Sequence, residues 1–200
     1  LDITSAMVKD LRTKTGAGMM DCKEALTASA GDVEKAIEYL RKKGMSAATK
    51  RSSKAAKEGV VASYIHMGGR IGVMVEVNCE TDFVAKTEDF QQMAKDIAMH
   101  VAASNPLFLK PEEIPPEVME REKDIYRSQA LAEKKPEKIW ERIIEGKLKK
   151  YYEEVCLLQQ KFIKNNDITV ETLVNNMIAK TGENIMVRRF ARFQLGEDLK

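Results

Sequence analysis

The spacing of hydrophobic positions changes along this chain, and each change marks a part. In the first 45 residues the spacing is helical and broken into short runs. Met7, Val8 and Leu11 share one face, then Cys22, Ala25 and Leu26, then Val33, Ala36, Ile37 and Leu40. Thr4 is placed to cap the first run. Thr15-Gly16-Ala17-Gly18 closes it, because glycine tolerates the positive φ of a helix exit. Asp21 is read as the cap of the second run, with Glu24 three residues on as the other half of a capping box. Gly31-Asp32 ends that run and opens a third, which is read to stop at Gly44. The pattern predicts a three-helix module over 1–45 with a small core.

Residues 46–58 change to Ala, Ser and Lys, with Lys50, Arg51, Lys54 and Lys57, and read as a basic linker that is open to helix. From 59 to 200 the chain reads as an α+β core. Alternating strands over Val60–His66 and Arg70–Asn78 flank Met67-Gly68-Gly69, a tight-turn signal. A third strand is expected over Asn184–Leu195, with Ile185, Val187, Ala191, Phe193 and Leu195 on one face and Arg189 as the exception. Together these predict a small antiparallel three-stranded sheet. Amphipathic helices over Glu88–Ser104 and Thr169–Lys180 are expected to cover it. An inserted helical hairpin is expected at about 115–158: Pro111, Pro115 and Pro116 precede a charged helix, and Pro136 restarts a second one bearing Trp140, Ile144, Leu148 and Tyr151. Its apolar seam is expected to close on itself and on the sheet.

One stretch falls outside both periods. Alternation through Ile71, Val73, Val75 and Val77 stops at Asn78, a polar turn follows, and a helix begins near Asp82. Phe83 then lies in the first turn after a strand, beside an acid. Two readings are open: a large aromatic side chain folded back onto its own core, or an anchor held out for a partner's pocket. Met19 and Met20 pose a similar choice, since a flexible thioether both plugs small cores and suits binding surfaces.

Composition narrows the function classes. With 33 Lys and Arg against 31 Asp and Glu, the formal charge is only +2, far from the surplus of a dedicated nucleic-acid binder. The basic linker lacks the interleaved aromatics on which bases stack. Three scattered cysteines form no disulfide framework and no paired zinc spacing, so a reducing compartment, the cytoplasm, is expected. No apolar run reaches membrane length and no targeting segment is read at the start. The two histidines, His66 and His100, have no nucleophile in a recognisable setting. Gly16 and Gly18 follow a helix rather than a strand, which counts against a phosphate loop. No catalytic site, cofactor or metal is expected.

Two long stretches then carry a family resemblance. Leu11-Arg12-Thr13-Lys14-Thr15-Gly16-Ala17-Gly18-Met19-Met20-Asp21-Cys22-Lys23-Glu24-Ala25-Leu26 resembles the N-terminal signature of the elongation factor Ts family. Glu76-Val77-Asn78-Cys79-Glu80-Thr81-Asp82-Phe83-Val84-Ala85-Lys86 resembles its second signature, and Gly182-Glu183-Asn184-Ile185 with Arg188-Arg189-Phe190 also fits. The resemblance implies a guanine-nucleotide exchange factor for elongation factor Tu, with a ubiquitin-associated-like N-terminal module. It implies that Arg12, Met19, Met20 and Lys23 dock on the partner's nucleotide-binding domain. It implies that Thr81, Asp82, Phe83 and Val84 displace magnesium in the partner, with Phe83 as the wedge. No membrane and no direct nucleic-acid contact are expected. The chain has room for one sheet subdomain where longer members carry a second half, so a homodimer through the C-terminal strand is expected to supply it. Ala191 stands where a cross-linking thiol would be needed. An RNA-binding accessory protein and a small enzyme are the competing classes.

Overall fold

The computed structural model describes residues 2–198. Positions 1, 199 and 200 of the expected segments fall outside the described residues. The fold is α+β, as the periodicity predicts.

Helices α1 (Ser5–Thr15), α2 (Met19–Ala28) and α3 (Val33–Arg51) enclose a small core of Val8, Leu11, Cys22, Ala25, Leu26 and Ala36. Thr4 caps α1 through its Oγ1, which accepts from the Met7 amide, and Gly16 closes it in the left-handed region at φ 69°. Asp32 caps α3 by accepting from the Lys35 amide at 3.1 Å. Asp21 does not cap α2. The helix starts three residues earlier, with Gly18 in the extended cap position, so Met19 and Met20 lie in the first helical turn rather than in a loop. Asp21 and Glu24 instead share Lys43 of α3, at 2.8 and 2.6 Å, and these ion pairs tie α2 to α3.

Nor does α3 stop at Gly44. It runs on through half of the expected linker to Arg51. Gly44 is buried where α3 meets α8 (Val170–Thr181); a Cβ placed there would come within 3.7 Å of the Asn175 carbonyl oxygen. That is ordinary contact distance, so it is burial against α8 that carries the helix past a residue of low helix propensity. Nearby, Arg41 Nη2 donates to the Asp167 carbonyl at 2.8 Å.

Strands β1 (Glu58–Ile65), β2 (Ile71–Cys79) and β5 (Met186–Gln194) form an antiparallel sheet in the order β1-β2-β5. Gly59 is required in β1. Its φ is 140°, and a Cβ would sit 2.1 Å from the Val77 carbonyl oxygen. One face of the sheet carries Ala62, Val73, Val75, Val77 and Val187 into the main core. Helix α5 (Glu88–Ser104) covers that face with Phe90, Ile97 and Val101, and α8 adds Val170, Val174 and Ile178.

The facing expected for β5 holds only at its start. Val77 pairs with Val187 but Glu76 pairs with Arg189, so Arg188 is the extra residue of a bulge. Beyond it the parity reverses. Phe190 packs on the core, while Ala191, Phe193 and Leu195 are exposed on the other face. Arg189 is thus the first residue of a new alternation, bonded through Nε to Glu76 at 2.7 Å.

Helices α6 (Pro116–Ala132) and α7 (Trp140–Val155) form the inserted hairpin. Its buried residues, Ala130, Ile144 and Leu148, lie against the hairpin itself and outside the core over the sheet, so the second half of the expected seam contact is corrected. The hairpin is tied down at its base, where Leu107 and Phe108 donate to the Val155 carbonyl and Leu157 donates back to Phe108. A short ladder of β3 (Lys161–Phe162) and β4 (Asn165–Thr169), absent from the sequence reading, leads into α8.

Candidate partner-binding site

Strand β2 ends at Cys79, and the chain turns at once into α4 (Asp82–Ala85). Thr81 is extended at φ −125° and caps this single turn, its Oγ1 accepting from the Val84 amide at 3.4 Å. A turn this short cannot hold itself by its own hydrogen bonds. It is held by its neighbours. Val84 packs against the core, Ala85 is buried, and the Thr87 hydroxyl donates to the Val84 carbonyl at the end of the turn while accepting from the Phe90 amide as the cap of α5. The buried Cys79 thiol donates to the Thr81 carbonyl at 3.1 Å; burial pushes its pKa up to about 11.

The consequence is the position of Phe83. With Val84 and Ala85 committed inward, Phe83 points out and is 79% exposed, whereas Phe90 one helix later is fully buried. Beside it, Asp82 is paired with Lys86 at 2.6 Å. The hydrogen bond from Lys86 holds the Asp82 carboxyl below its ordinary range, so Asp82 is charged at neutral pH. The turn therefore presents an aromatic side chain and an anion side by side.

Two further carboxylates, for which the sequence analysis gave no role, link this turn to the segment between α8 and β5. Glu183 accepts from the Thr81 backbone amide at 3.1 Å and from its hydroxyl at 2.6 Å. Glu80 accepts from the Asn184 amide at 2.6 Å. The signal for them was a charged residue directly before a polar one at each of two element boundaries, Glu80-Thr81 and Glu183-Asn184.

The N-terminal residues lie elsewhere. Arg12 is in the last turn of α1, and Met19, Met20 and Lys23 are in the first turns of α2; all four are exposed. Met19 and Lys23, four apart, share a face of α2. Neither methionine belongs to the small core, and Met20 is 75% exposed. The structure gathers residues 81–84 into one turn and these four around the α1–α2 junction, each group on its own core.

The two histidines are apart. His66 is exposed beside the Tyr64 hydroxyl, and His100 is buried, bonded to Gln160 Oε1 at 2.9 Å and to the Ile163 amide at 3.2 Å. Among the described residues no group of three or more His, Cys, Asp or Glu is placed to hold a metal ion, and no helix is long and apolar enough to cross a membrane.

What the fold and turn define is an α+β protein that offers an aromatic side chain outward on a short, tightly anchored turn. The family model described as Elongation factor TS matches residues 3–197. The chain is 82% identical to elongation factor Ts of Syntrophus aciditrophicus (strain SB) over 200 residues, covering 100% of both chains. It is 58% identical to elongation factor Ts of Heliobacterium modesticaldum over 197 residues, covering 98% of this chain and 92% of that one. With elongation factor Ts of Desulfosudis oleivorans it shares 56% over 195 residues, 98% of each. The chain belongs to the elongation factor Ts family, and so to the factors of translation elongation.

Proposed function

We propose that the protein is the guanine-nucleotide exchange factor of elongation factor Tu, working in the cytoplasm and without chemistry of its own. The observation that carries this reading is Phe83, 79% exposed on a turn that Glu183 holds at Thr81 and Thr87 holds at Val84. A large aromatic group in water at a rigid position has the form of an interface anchor. In the proposed mechanism Phe83 enters a pocket between helices of the partner, with Asp82 alongside and Thr81 and Val84 setting the turn. The disturbance reaches the partner's magnesium site and loosens GDP. Arg12, Met19, Met20 and Lys23 dock the N-terminal helices on the nucleotide-binding domain. A factor that binds best to the nucleotide-free partner weakens GDP by the same coupling free energy, because both describe one thermodynamic cycle.

The test is the release of labelled GDP from elongation factor Tu at rising concentrations of this protein and at two magnesium levels. The off-rate is expected to rise with the protein and to be opposed by magnesium. An off-rate flat in both series refutes the proposal even if the two proteins bind tightly. A homodimer is proposed through β5, which is an edge strand of the sheet and carries exposed Phe193 on its outer face.

A further inference from the structure

The links between the Phe83 turn and the α8–β5 junction form a crossed pair. Glu80 and Thr81 directly follow β2; Glu183 and Asn184 lie just before β5, about a hundred positions away. Each segment supplies a carboxylate to the other's backbone amide: Glu183 to Thr81 at 3.1 Å, and Glu80 to Asn184 at 2.6 Å. Glu183 also takes the Thr81 hydroxyl at 2.6 Å, which turns the hydroxyl lone pairs toward the Val84 amide that Thr81 caps. Asn184 is buried and donates through Nδ2 to the Lys54 carbonyl at 2.7 Å, just beyond the end of α3. Arg51, the last residue of α3, lies 3.6 Å from Glu80. Hydrogen bonds to a carboxylate are stronger and more directional than neutral ones, and Glu183 makes two of them to a single residue.

A one-turn helix has no internal reason to keep one orientation. We infer that Glu183, with Glu80 crossing it, is the positioning residue that aims Phe83, and that the grip on Thr81 rather than the turn's own hydrogen bonds fixes the angle at which the ring is presented. This inference rests on the exchange reading, and it adds a specific residue to it. Glu183 touches no partner in this account. It acts through Thr81. Because Asn184 and Glu80 reach the end of α3, the same clasp joins the helix that carries the N-terminal core to the turn that carries Phe83.

The experiment uses the full chain with Glu183→Gln, which keeps size and one acceptor but replaces the other with a donor. Three readings are taken: amide hydrogen exchange at Thr81 and Asn184 in the free protein, the denaturant midpoint, and GDP release from elongation factor Tu as a function of factor concentration. The Thr81 amide is expected to exchange about tenfold faster or more, with little change in the midpoint. The maximal release rate is expected to fall by about tenfold, while the concentration for half-maximal effect changes much less, because docking through the N-terminal helices is intact. A purely structural role predicts another pattern, with activity following the folded fraction and the rate constant of the folded molecules unchanged; that result overturns the inference. So does a maximal rate like that of the unaltered protein with a loosened Thr81 amide. Should Glu183→Gln fail to fold, Glu183→Asp shortens the reach to Thr81 while leaving the Thr81 hydroxyl and its bond to the Val84 amide in place, and is expected to show the same split between rate and half-maximal concentration. If the unaltered protein itself does not speed release, the exchange reading falls and the positioning role with it, and the Thr81 amide then reports only on the clasp.

Discussion

Replacing Phe83 by alanine separates an outward anchor from a core residue. In the free chain Phe83 is 79% exposed, so only about a fifth of its surface is withdrawn from water. Full burial of a phenylalanine side chain stabilises by roughly 1.5–3 kcal/mol, which leaves about 0.5 kcal/mol to lose at this position. Alanine's higher helix propensity returns a similar amount, about 0.5 kcal/mol, so Phe83→Ala is expected to leave stability almost unchanged. Phe90, fully buried seven residues on, supplies the contrast: Phe90→Ala is expected to cost roughly 3–5 kcal/mol. Binding moves the other way. An anchor of this kind is expected to contribute about 2 kcal/mol or more to the complex, about a thirtyfold change in affinity, and exchange should collapse with it. The assay pairs a denaturant titration of both variants with GDP release from elongation factor Tu. If Phe83→Ala unfolds early, with exchange that scales to the folded fraction, the reasoning from exposure to anchor is wrong.

Other perturbations follow from the same geometry. A fragment ending near Lys50 is expected to be helical by circular dichroism but only marginally stable, since its core is small and α3 loses its packing on α8. That fragment should bind the partner weakly and release no GDP, and full activity from it would place the mechanism in the wrong half. Gly59→Ala is expected to destabilise by roughly 2–4 kcal/mol, because a Cβ would meet the Val77 carbonyl at 2.1 Å; chemical denaturation measures it. His100 gives a pH dependence. Its Nδ1 accepts from the Ile163 amide, so the folded state requires the neutral ring, and burial lowers its pKa from 6.5. Well above pH 6.5 neither state binds the proton. As pH falls through that value the unfolded chain takes it first, so stability declines until the pH passes the lower folded pKa. Denaturant midpoints between pH 7.5 and 5 should fall for this chain and flatten in His100→Asn.

Periodicity made most of the architecture legible. Caps at Thr4 and Asp32, the hairpin around Gly68-Gly69 and the inserted helices are local features, and local chemistry decides them. The failures share a cause. Gly44 reads as a helix end because glycine is a poor helix former, but contact with α8, 126 or more positions away in sequence, keeps the helix going. Asp21 has the right chemistry for a cap, yet Lys43 on another helix claims its carboxylate. In β5 a single bulged residue, Arg188, reverses which side chains face the core, and no pattern within the strand announces a bulge. At the candidate site the exposed ring was legible as one of two choices, since the sequence shows where the strand ends but not which neighbours occupy the core. The grip of Glu183 on Thr81 spans 102 positions: each boundary carries its charged-polar pair in the sequence, but nothing local says that the two pairs meet.

The uninterrupted course of α3 acts as a shaft between two bearings. Its 19 residues span about 28 Å at 1.5 Å of rise each. Its first turns are seated in the N-terminal core, and its last turns rest on α8 beside the clasp that holds the Phe83 turn. Separation and angle between the Met19–Met20 face and Phe83 are therefore indexed by helical phase. Lengthening the shaft by one residue would swing one face by about 100° relative to the other, whereas a flexible tether of the same length would absorb the change without effect. Reach and bearing are set together, in one element, by the count of residues between Asp32 and Ser52.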